Sequence, residues 1–281
     1  MGSMFMRRSD RVSLTLPIEA VGQDADGIEF SEQARTAVIN RHGGVIVLQR
    51  KLTSAQELLI RRTGGGKKLE GRFRVLGEIG AQDDGYVYAV ALLDPDTNFW
   101  NIEFPSPAQS AEALARVLVE CSHCRRREVV YLNEVELKGY EAFQGIARNC
   151  GTCANPTIWT PVHHEDVATS PAPSVAPEPE APQPPPPGSE GREKNRCKTR
   201  LTGYIRQAGY GEERVVCENA SPDGICFRSQ KPYVEGTRVE VAFPYAEGIA
   251  NIFIPARIVY SQRLPSAGLF RHGVEYIRYP N

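Results

Sequence analysis

Short runs of alternating hydrophobic and polar residues, separated by glycine-containing turns, occupy the first hundred residues of the chain. Alternation with a period of two is typical of half-buried β-strands, and little helical periodicity accompanies it. The pattern therefore predicts a small, all-β, antiparallel barrel over residues 1–105. The expected strands are Val12–Leu16, Thr36–Ile39, Val45–Leu48, Glu57–Ile60, Gly71–Leu76 and Tyr86–Leu92.

A second region of the same kind occupies residues 192–281. The apolar run Val215-Val216-Cys217 leads into a polar stretch with Asn219, Ser221 and Gly224, and a second apolar run follows. This arrangement predicts two strands joined by a tight polar turn. About six short strands in this region again favour a closed barrel. Further alternating runs are Val239–Phe243, Asn251–Tyr260 and His272–Ile277.

The segment between the two regions, residues 106–165, has a different pattern. Ser106-Pro107 is typical of the first positions of a helix, because serine caps the N-terminus and proline fits the first turn. Apolar residues then recur at helical spacing, which predicts a helix over about residues 107–120. These residues are Ala111, Leu114, Val117, Leu118 and Cys121.

Four cysteines in two CxxC pairs lie in the same segment. Cys121 and Cys124 form the first pair, and Cys150 and Cys153 follow after an interval of 25 residues. Two such pairs resemble a zinc ribbon, in which each pair places two thiolates on one side of a tight turn. Four protein ligands leave no coordination position for a catalytic water, so we expect a structural Zn²⁺. A pair of redox-active CxxC motifs is the alternative.

A proline-rich stretch follows the second CxxC pair. From residue 170 to residue 189, nine of twenty residues are proline. Such a sequence cannot form a packed core and is typical of an extended spacer. We therefore expect residues 166–191 to be a disordered linker between an N-terminal unit, made of barrel and ribbon, and a C-terminal barrel. A docking site for an SH3-like partner is the alternative.

The composition narrows the possible partners and the compartment. The chain of 281 residues has a net charge of −1, so no overall field attracts nucleic acid or an anionic membrane. No apolar run is long enough to span a bilayer, and the N-terminus lacks the apolar core of a signal peptide. The cysteine pattern fits a metal in a reducing compartment. We expect a cytoplasmic protein that binds neither membrane nor nucleic acid.

Two short motifs in the C-terminal region resemble those of the PilZ family. The first is RxxxR, present as Arg192 and Arg196, and the second is [D/N]xSxxG, present as Asn219, Ser221 and Gly224. The resemblance implies a small antiparallel β-barrel that binds cyclic di-GMP. It also implies that the two arginines wrap the ligand while the three residues of the second motif line its site. Arg196 and Arg200 also fit RxxxR, so the register of the first motif stays open.

The N-terminal region has the same order of parts, an arginine pair, a strand, a polar turn and a strand. Aligned with the C-terminal region, Arg7 and Arg11 correspond to the first motif. Val38, Asn40 and Gly43 then correspond to Asn219, Ser221 and Gly224. Because Val38 replaces the polar acceptor, the resemblance is to a degenerate PilZ domain that does not bind ligand.

The leading hypothesis is a cyclic di-GMP receptor that acts on a downstream protein and is not an enzyme. Thr63-Gly-Gly-Gly-Lys67 lacks the spacing of a phosphate-binding loop, and we expect it to be a hairpin loop. One alternative is a non-binding interaction scaffold with a structural zinc. Another is a zinc-ribbon protein that binds nucleic acid, suggested by the short basic run Arg125-Arg126-Arg127.

Overall fold

The computed structural model describes residues 10–62, 69–82, 84–106, 112–165, 196–264 and 268–277. These residues form a mainly β structure with two sheets, one of fourteen strands and one of five. The larger sheet closes on itself twice and so makes two antiparallel barrels. The prediction of a mainly β protein with small antiparallel barrels is confirmed.

The N-terminal barrel has six strands in the order β3-β2-β5-β6-β7-β4, and the pairing of β3 with β4 closes it. A short strand, β1 (Val12–Ser13), pairs with the end of β3, beyond the part of β3 that pairs with β2. Alternate residues point inwards and form the core, as the period-two pattern predicts. The predicted loop at residues 63–67 lies outside the described residues. The barrel strands are β2 (Pro17–Gln23), β3 (Glu29–Asn40), β4 (Gly43–Leu48), β5 (Glu57–Arg62), β6 (Leu69–Gln82) and β7 (Gly85–Leu92).

The C-terminal barrel repeats this topology strand for strand. Its order is β15-β14-β17-β18-β19-β16, closed by β15 and β16, and the short β13 (Cys197–Lys198) pairs with the end of β15 as β1 does with β3. The two barrels therefore share one fold, although their sequences have little in common. The barrel strands are β14 (Thr202–Gln207), β15 (Gly211–Ser221), β16 (Gly224–Ser229), β17 (Arg238–Ala242), β18 (Asn251–Leu264) and β19 (Leu269–Tyr276).

The five-stranded sheet lies between the barrels in sequence and has the order β11-β12-β9-β10-β8. One helix, α1 (Glu134–Phe143), connects β10 to β11. Asn133 and Glu136 form a capping box at its N-terminus. We call this unit the ribbon module. Its strands are β8 (Ile102–Glu103), β9 (Ala115–Cys121), β10 (Arg127–Leu132), β11 (Ile146–Cys150) and β12 (Asn155–Pro161).

The predicted helix over residues 107–120 is wrong for the part that the structure describes. Residues 115–121 form strand β9, and residues 107–111 lie outside the described residues. Val117, Leu118 and Val119 are consecutive and all buried, because β9 is covered on both faces. Apart from Arg116 and Glu120, β9 is apolar at every position, so its apolar residues also fall at helical spacing by coincidence.

The two barrels are joined directly through β1. Val12 pairs with Ile39 of the N-terminal barrel and also with Ile252 of the C-terminal barrel. The ribbon module contributes to the same junction, where His164 donates its backbone N–H to Gly248 O at 3.1 Å. The expected linker over residues 166–191 lies outside the described residues, and backbone pairing connects the two units directly. None of the described helical segments is long and apolar enough to cross a membrane.

Candidate ligand-binding face and candidate metal centre

The second motif lies on the β15–β16 hairpin. Ser221 is the last residue of β15 and pairs with Gly224, the first residue of β16, across a two-residue turn. The Ser221 hydroxyl donates to Gly224 O at 3.1 Å. The predicted pair of strands is confirmed, but Asn219 and Ser221 belong to the end of the strand and not to the turn. Both are half-buried, so their positions are fixed by the sheet.

Gly224 has a structural reason to be glycine. A Cβ atom at this position would lie 1.8 Å from the carbonyl oxygen of Val274 on β19, far closer than atoms can approach. The close approach that the structure shows at Gly224 is to β19, and the expected contribution of Gly224 to the ligand site stays a prediction. Gly43 in the N-terminal barrel has the same role, with its Cβ position 2.1 Å from Val90 O. The motif glycine thus closes the barrel.

A β-bulge precedes the motif on β15. Cys217 pairs with Phe227 and Asn219 pairs with Cys226, which leaves Glu218 as the extra residue. Bulges locally redirect side chains, and this one separates the buried Cys217 from the half-buried Asn219. The N-terminal barrel has the same bulge at Ala37, between Thr36 and Val38.

The arginine segment of the first motif leads into β13. Arg196 is exposed and directly precedes this strand, whereas Arg192 lies outside the described residues. Lys198 of β13 lies opposite Asn219, so Arg196 starts from the same part of the barrel as the second motif. Arg200 follows β13, and its backbone N–H donates to the Glu141 carboxylate of α1 at 3.0 Å.

The register of the first motif can be compared between the barrels. Arg11 directly precedes β1, and Val12 pairs with Ile39 of β3. Arg196 directly precedes β13, and Cys197 pairs with Ala220 of β15. Since Ile39 and Ala220 are the second residues after their bulges, Arg11 and Arg196 occupy equivalent positions. This equivalence favours the 192/196 register over 196/200.

Three charged residues beside the motif were not predicted from the sequence. Glu218 accepts hydrogen bonds from Arg228 Nε and from Arg271 Nε, each at 2.5 Å. Burial raises the pKa of Glu218, but the two arginines outweigh this effect and hold the pKa below its ordinary value. For two of these residues the sequence offers a signal, namely their position beside the second motif. Glu218 directly precedes the motif, and Arg228 lies four residues after Gly224.

Cys226 lies within this group of charges and is nearly fully buried. Burial and the nearby Glu218 carboxylate raise the pKa of the Cys226 thiol, while Arg271 and Arg196 oppose the increase. Asn219 pairs with Cys226 on one side and with Lys198 on the other, so Arg196, two residues before Lys198, lies in the same part of the barrel. The motif hairpin therefore carries a polar, arginine-bearing face. We call it the charged face, defined by Arg196, Glu218, Asn219, Arg228 and Arg271.

The four cysteines of the CxxC pairs come together as predicted. All four sulfur atoms lie within 4.8 Å of one another, with Cys121 Sγ 3.9 Å from Cys153 Sγ and Cys124 Sγ 3.5 Å from Cys150 Sγ. Zn–S bonds of about 2.3 Å in a tetrahedral site place sulfur atoms about 3.8 Å apart. The donor set and its spacing therefore fit a tetrahedral metal ion.

The two CxxC turns have the same backbone geometry. Arg125 N–H donates to Cys121 O at 3.0 Å, and Ala154 N–H donates to Cys150 O at 2.8 Å. Arg125 and Ala154 both have a positive φ, of 61° and 54°. A backbone N–H from Cys124 is the main cause that lowers the pKa of Cys121 to about 6. Two equal turns thus direct their thiols to one point.

The basic run of the ribbon module is neutralised by neighbouring carboxylates. Arg125 and Arg127 both contact Glu120, with distances of 2.5 and 3.0 Å, and Arg126 contacts Glu128 at 2.9 Å. These ion pairs reduce the charge that the run could offer to a phosphate backbone.

Comparison with known proteins identifies the C-terminal region. Residues 190–281 match the model of the PilZ domain. The chain resembles the inhibitor of motility MotI/DgrA of Bacillus subtilis, at 10% identity and a TM-score of 0.27 over 98% of this chain and 90% of that one. It also resembles PlzA of Borreliella burgdorferi in complex with c-di-GMP, at 8% identity and a TM-score of 0.28 over 94% and 81% of the two chains.

YcgR of Escherichia coli in complex with c-di-GMP is similar at 9% identity and a TM-score of 0.25, over 93% of this chain and 76% of that one. No curated protein matches the sequence. The match to the family model covers both motifs and all seven strands β13–β19. The C-terminal barrel of this chain is a PilZ domain.

Proposed function

We propose that the protein is a receptor for cyclic di-GMP and that the charged face of its C-terminal barrel binds the ligand. The observation that carries the proposal is the PilZ domain at residues 190–281, together with motif residues that the fold brings to one face. The solved PlzA and YcgR structures are complexes with c-di-GMP.

The chemistry of the face suits this ligand. Cyclic di-GMP carries two phosphates and two guanine edges with O6 and N7 acceptors, and arginine binds both groups through its planar fork of donors. In this proposal Arg192 and Arg196 fold over the ligand from the segment before β13. Asn219 and Ser221 supply fixed polar groups from β15, and Gly224 lets the backbone approach the ligand.

Calorimetric titration of the full chain with cyclic di-GMP tests the proposal. We expect saturable binding, and no binding of cyclic di-AMP, because adenine presents a donor where guanine presents the O6 acceptor. Absence of binding to cyclic di-GMP would favour a non-binding scaffold. Filter binding of DNA and RNA over a salt series tests the nucleic-acid alternative, since phosphate contacts weaken as salt rises.

We propose further that the N-terminal barrel, over residues 1–105, is a degenerate PilZ domain without ligand. Its topology and bulge support this assignment, and Val38 lies at the position equivalent to Asn219. The protein would then act on a downstream partner through a change that begins at one barrel only. The test is a titration of an Asn219 variant with cyclic di-GMP. If the N-terminal barrel binds no ligand, this variant should show no remaining second binding site.

The cysteine cluster is proposed to hold a structural Zn²⁺ bound by Cys121, Cys124, Cys150 and Cys153. The supporting observation is the tetrahedral spacing of the four sulfur atoms. Elemental analysis of the purified chain should show one zinc per chain, and Cys124→Ser should remove most of it, because three ligands bind far more weakly. Cys226→Ser is the matched control and should keep the metal. An unchanged zinc content in Cys124→Ser would contradict the assignment.

A further inference from the structure

A carboxylate is built into the charged face. Only 14% of the Glu218 side chain is exposed, and its two oxygens receive Arg228 Nε and Arg271 Nε, each at 2.5 Å. Cys226 Sγ also donates to Oε2, at 3.7 Å. Arg228 and Arg271 lie directly opposite each other on β16 and β19. One carboxylate therefore bridges two arginines of neighbouring strands.

The bulge on β15 produces this arrangement. Glu218 is the extra residue of the bulge and has no partner across the β15–β16 ladder. Its own carbonyl oxygen accepts the backbone N–H of Thr199 at 3.1 Å, which fixes the end of β13 to the same point. Glu218 is thus held by the backbone while its side chain reaches both arginines.

A barrel of this topology forms without these three residues. In the N-terminal barrel the bulge residue is Ala37, and the positions of Arg228 and Arg271 are taken by Val47 and Val87, which also lie directly opposite each other. The carboxylate and both arginines are thus all replaced by apolar residues in the other barrel of the same topology. The three residues therefore form one unit, and we assign that unit to ligand binding and not to the fold.

From this geometry we infer that Glu218 is an internal competitor that occupies the arginine pair Arg228–Arg271 until an anionic ligand takes its place. The inference rests on the proposed function and adds a regulatory residue to it. Both hydrogen bonds to Glu218 use Nε, so the guanidinium Nη donors are not engaged by this carboxylate. A phosphate that approaches the pair meets two favourable charges and one unfavourable charge.

This arrangement raises the ligand concentration at which the receptor responds. An incoming phosphate must overcome repulsion from Glu218 and replace two charge-assisted hydrogen bonds that already exist. A weaker anion gains too little from the arginines to do so. Glu218 therefore sets the affinity threshold of the charged face.

Glu218→Gln tests the inference, because glutamine keeps the size and one acceptor while it removes the charge. In calorimetric titrations of the full chain, we expect cyclic di-GMP to bind at least about tenfold more tightly than to the wild type. The affinity should also fall more steeply with salt, since one more positive charge is available. Glu247→Gln is the matched control. It removes the same charge from an ion pair with Arg214 and should leave the affinity unchanged.

Glu218→Ala is the second variant and introduces the residue that the N-terminal barrel has at its bulge. If both variants bind the ligand equally or more weakly than a wild type that binds, the inference is overturned and the proposed function stands. If neither the wild type nor the variants bind, both fail together. Binding by the variants alone would support the inference in its strongest form. Thermal unfolding monitored by circular dichroism shows whether each variant is folded.

Discussion

The two barrels have the same fold and different surfaces. They share the strand order and the short extra strand, β1 or β13, that precedes the barrel. They also share the bulge in β3 or β15 and the glycine that begins β4 or β16. Where the C-terminal barrel has Asn219, Arg228 and Arg271, the N-terminal barrel has valines. Fold and binding chemistry are therefore specified by different residues, and one can be kept while the other is replaced.

The replacement covers four of the five positions of the charged face, and only the position of Arg196 keeps an arginine, Arg11. Opposite Asn219 lies Cys226 and then Gly273, whereas opposite Val38 lie Val45 and Ala89. Val47 and Val87 are buried, with 2% and 8% of their surface exposed, although they occupy positions that carry partly exposed arginines in the other barrel. A face with this composition keeps Arg11 but lacks the donors that Asn219, Arg228 and Arg271 offer to an anion. The loss of the asparagine is thus one part of a wider conversion from polar to apolar.

Replacement of the shared glycine should have the largest effect, and it should affect both barrels. We expect Gly224→Ala and Gly43→Ala each to lower the free energy of unfolding by about 3 kcal/mol or more, because a carbonyl oxygen of the neighbouring strand occupies the space of the new methyl group. Denaturant unfolding of the full chain provides the measurement.

Gly139→Ala in α1 is the control for this comparison. No atom lies within 4 Å of its Cβ position, so alanine should be tolerated and should stabilise the helix slightly. A Gly43→Ala variant as stable as the wild type would show that the two hairpins are not equivalent.

The arginines before β13 and β1 should separate the barrels functionally. Arg196→Ala should weaken cyclic di-GMP binding by about 2 kcal/mol, since it removes charge-assisted hydrogen bonds, and should leave stability nearly unchanged because Arg196 is exposed. Arg11→Ala is the equivalent change in the N-terminal barrel and should not alter the affinity. Arg200→Ala should have little effect. A severe loss of calorimetric affinity in Arg200→Ala would place the motif at Arg196 and Arg200.

An exchange of the first residue of the second motif should have an intermediate effect. Asn219→Val introduces the N-terminal residue and should cost about 1–2 kcal/mol of binding free energy, because a ligand group loses its partner. The reciprocal Val38→Asn should create no second site, since Val45, Val47 and Val87 remain around it. Titration of the two single variants distinguishes these outcomes, and a gain of stoichiometry in Val38→Asn would contradict the comparison.

The smallest expected effect is on the pH dependence of stability. It comes from one buried core position, which lies on β19 in the C-terminal barrel and on β7 in the N-terminal barrel. His272 is fully buried and Tyr88 occupies the equivalent position. Burial lowers the pKa of His272, although Lys231 O and Glu213 oppose this shift. The unfolded chain therefore takes up the proton first. The contribution of His272 to stability is complete above pH about 6.5 and decreases below it.

Thermal unfolding at several pH values checks this expectation. The wild type should lose a few degrees of Tm between pH 7.5 and pH 5.5, and His272→Tyr should lose less. His164, whose pKa burial also lowers, accounts for part of the remaining loss. An equal loss in the wild type and in His272→Tyr would show that the buried histidine does not titrate in this range.

Local patterns in the sequence predicted the features that depend on local chemistry. The β15–β16 hairpin and the two CxxC turns were found because turn residues and ligand spacing are written in a few neighbouring positions. The expected helix over residues 107–120 failed because β9 is buried on both faces, which removes the alternation that marks a strand. Helix α1 carries a capping box at Asn133 and Glu136 that could have revealed it.

Features that depend on distant residues were not accessible in the same way. Glu218 and Arg271 are separated by many residues, and only the folded β15–β16–β19 sheet brings them together. The pairing of Val12 with Ile252 has no local signal either, because a two-residue strand offers no period. A bulge also shifts the alternation by one residue, so the direction of Glu218 could not be read from its position in the run.

The shared strand β1 has a consequence for synthesis on the ribosome. Val12 can pair with Ile39 soon after both residues have left the ribosome, but its second partner, Ile252, follows Val12 by 240 residues. Until Ile252 has been made, one edge of β1 presents unpaired backbone groups, which other nascent chains could use for pairing. Folding of the C-terminal barrel therefore also removes the exposed edge of β1.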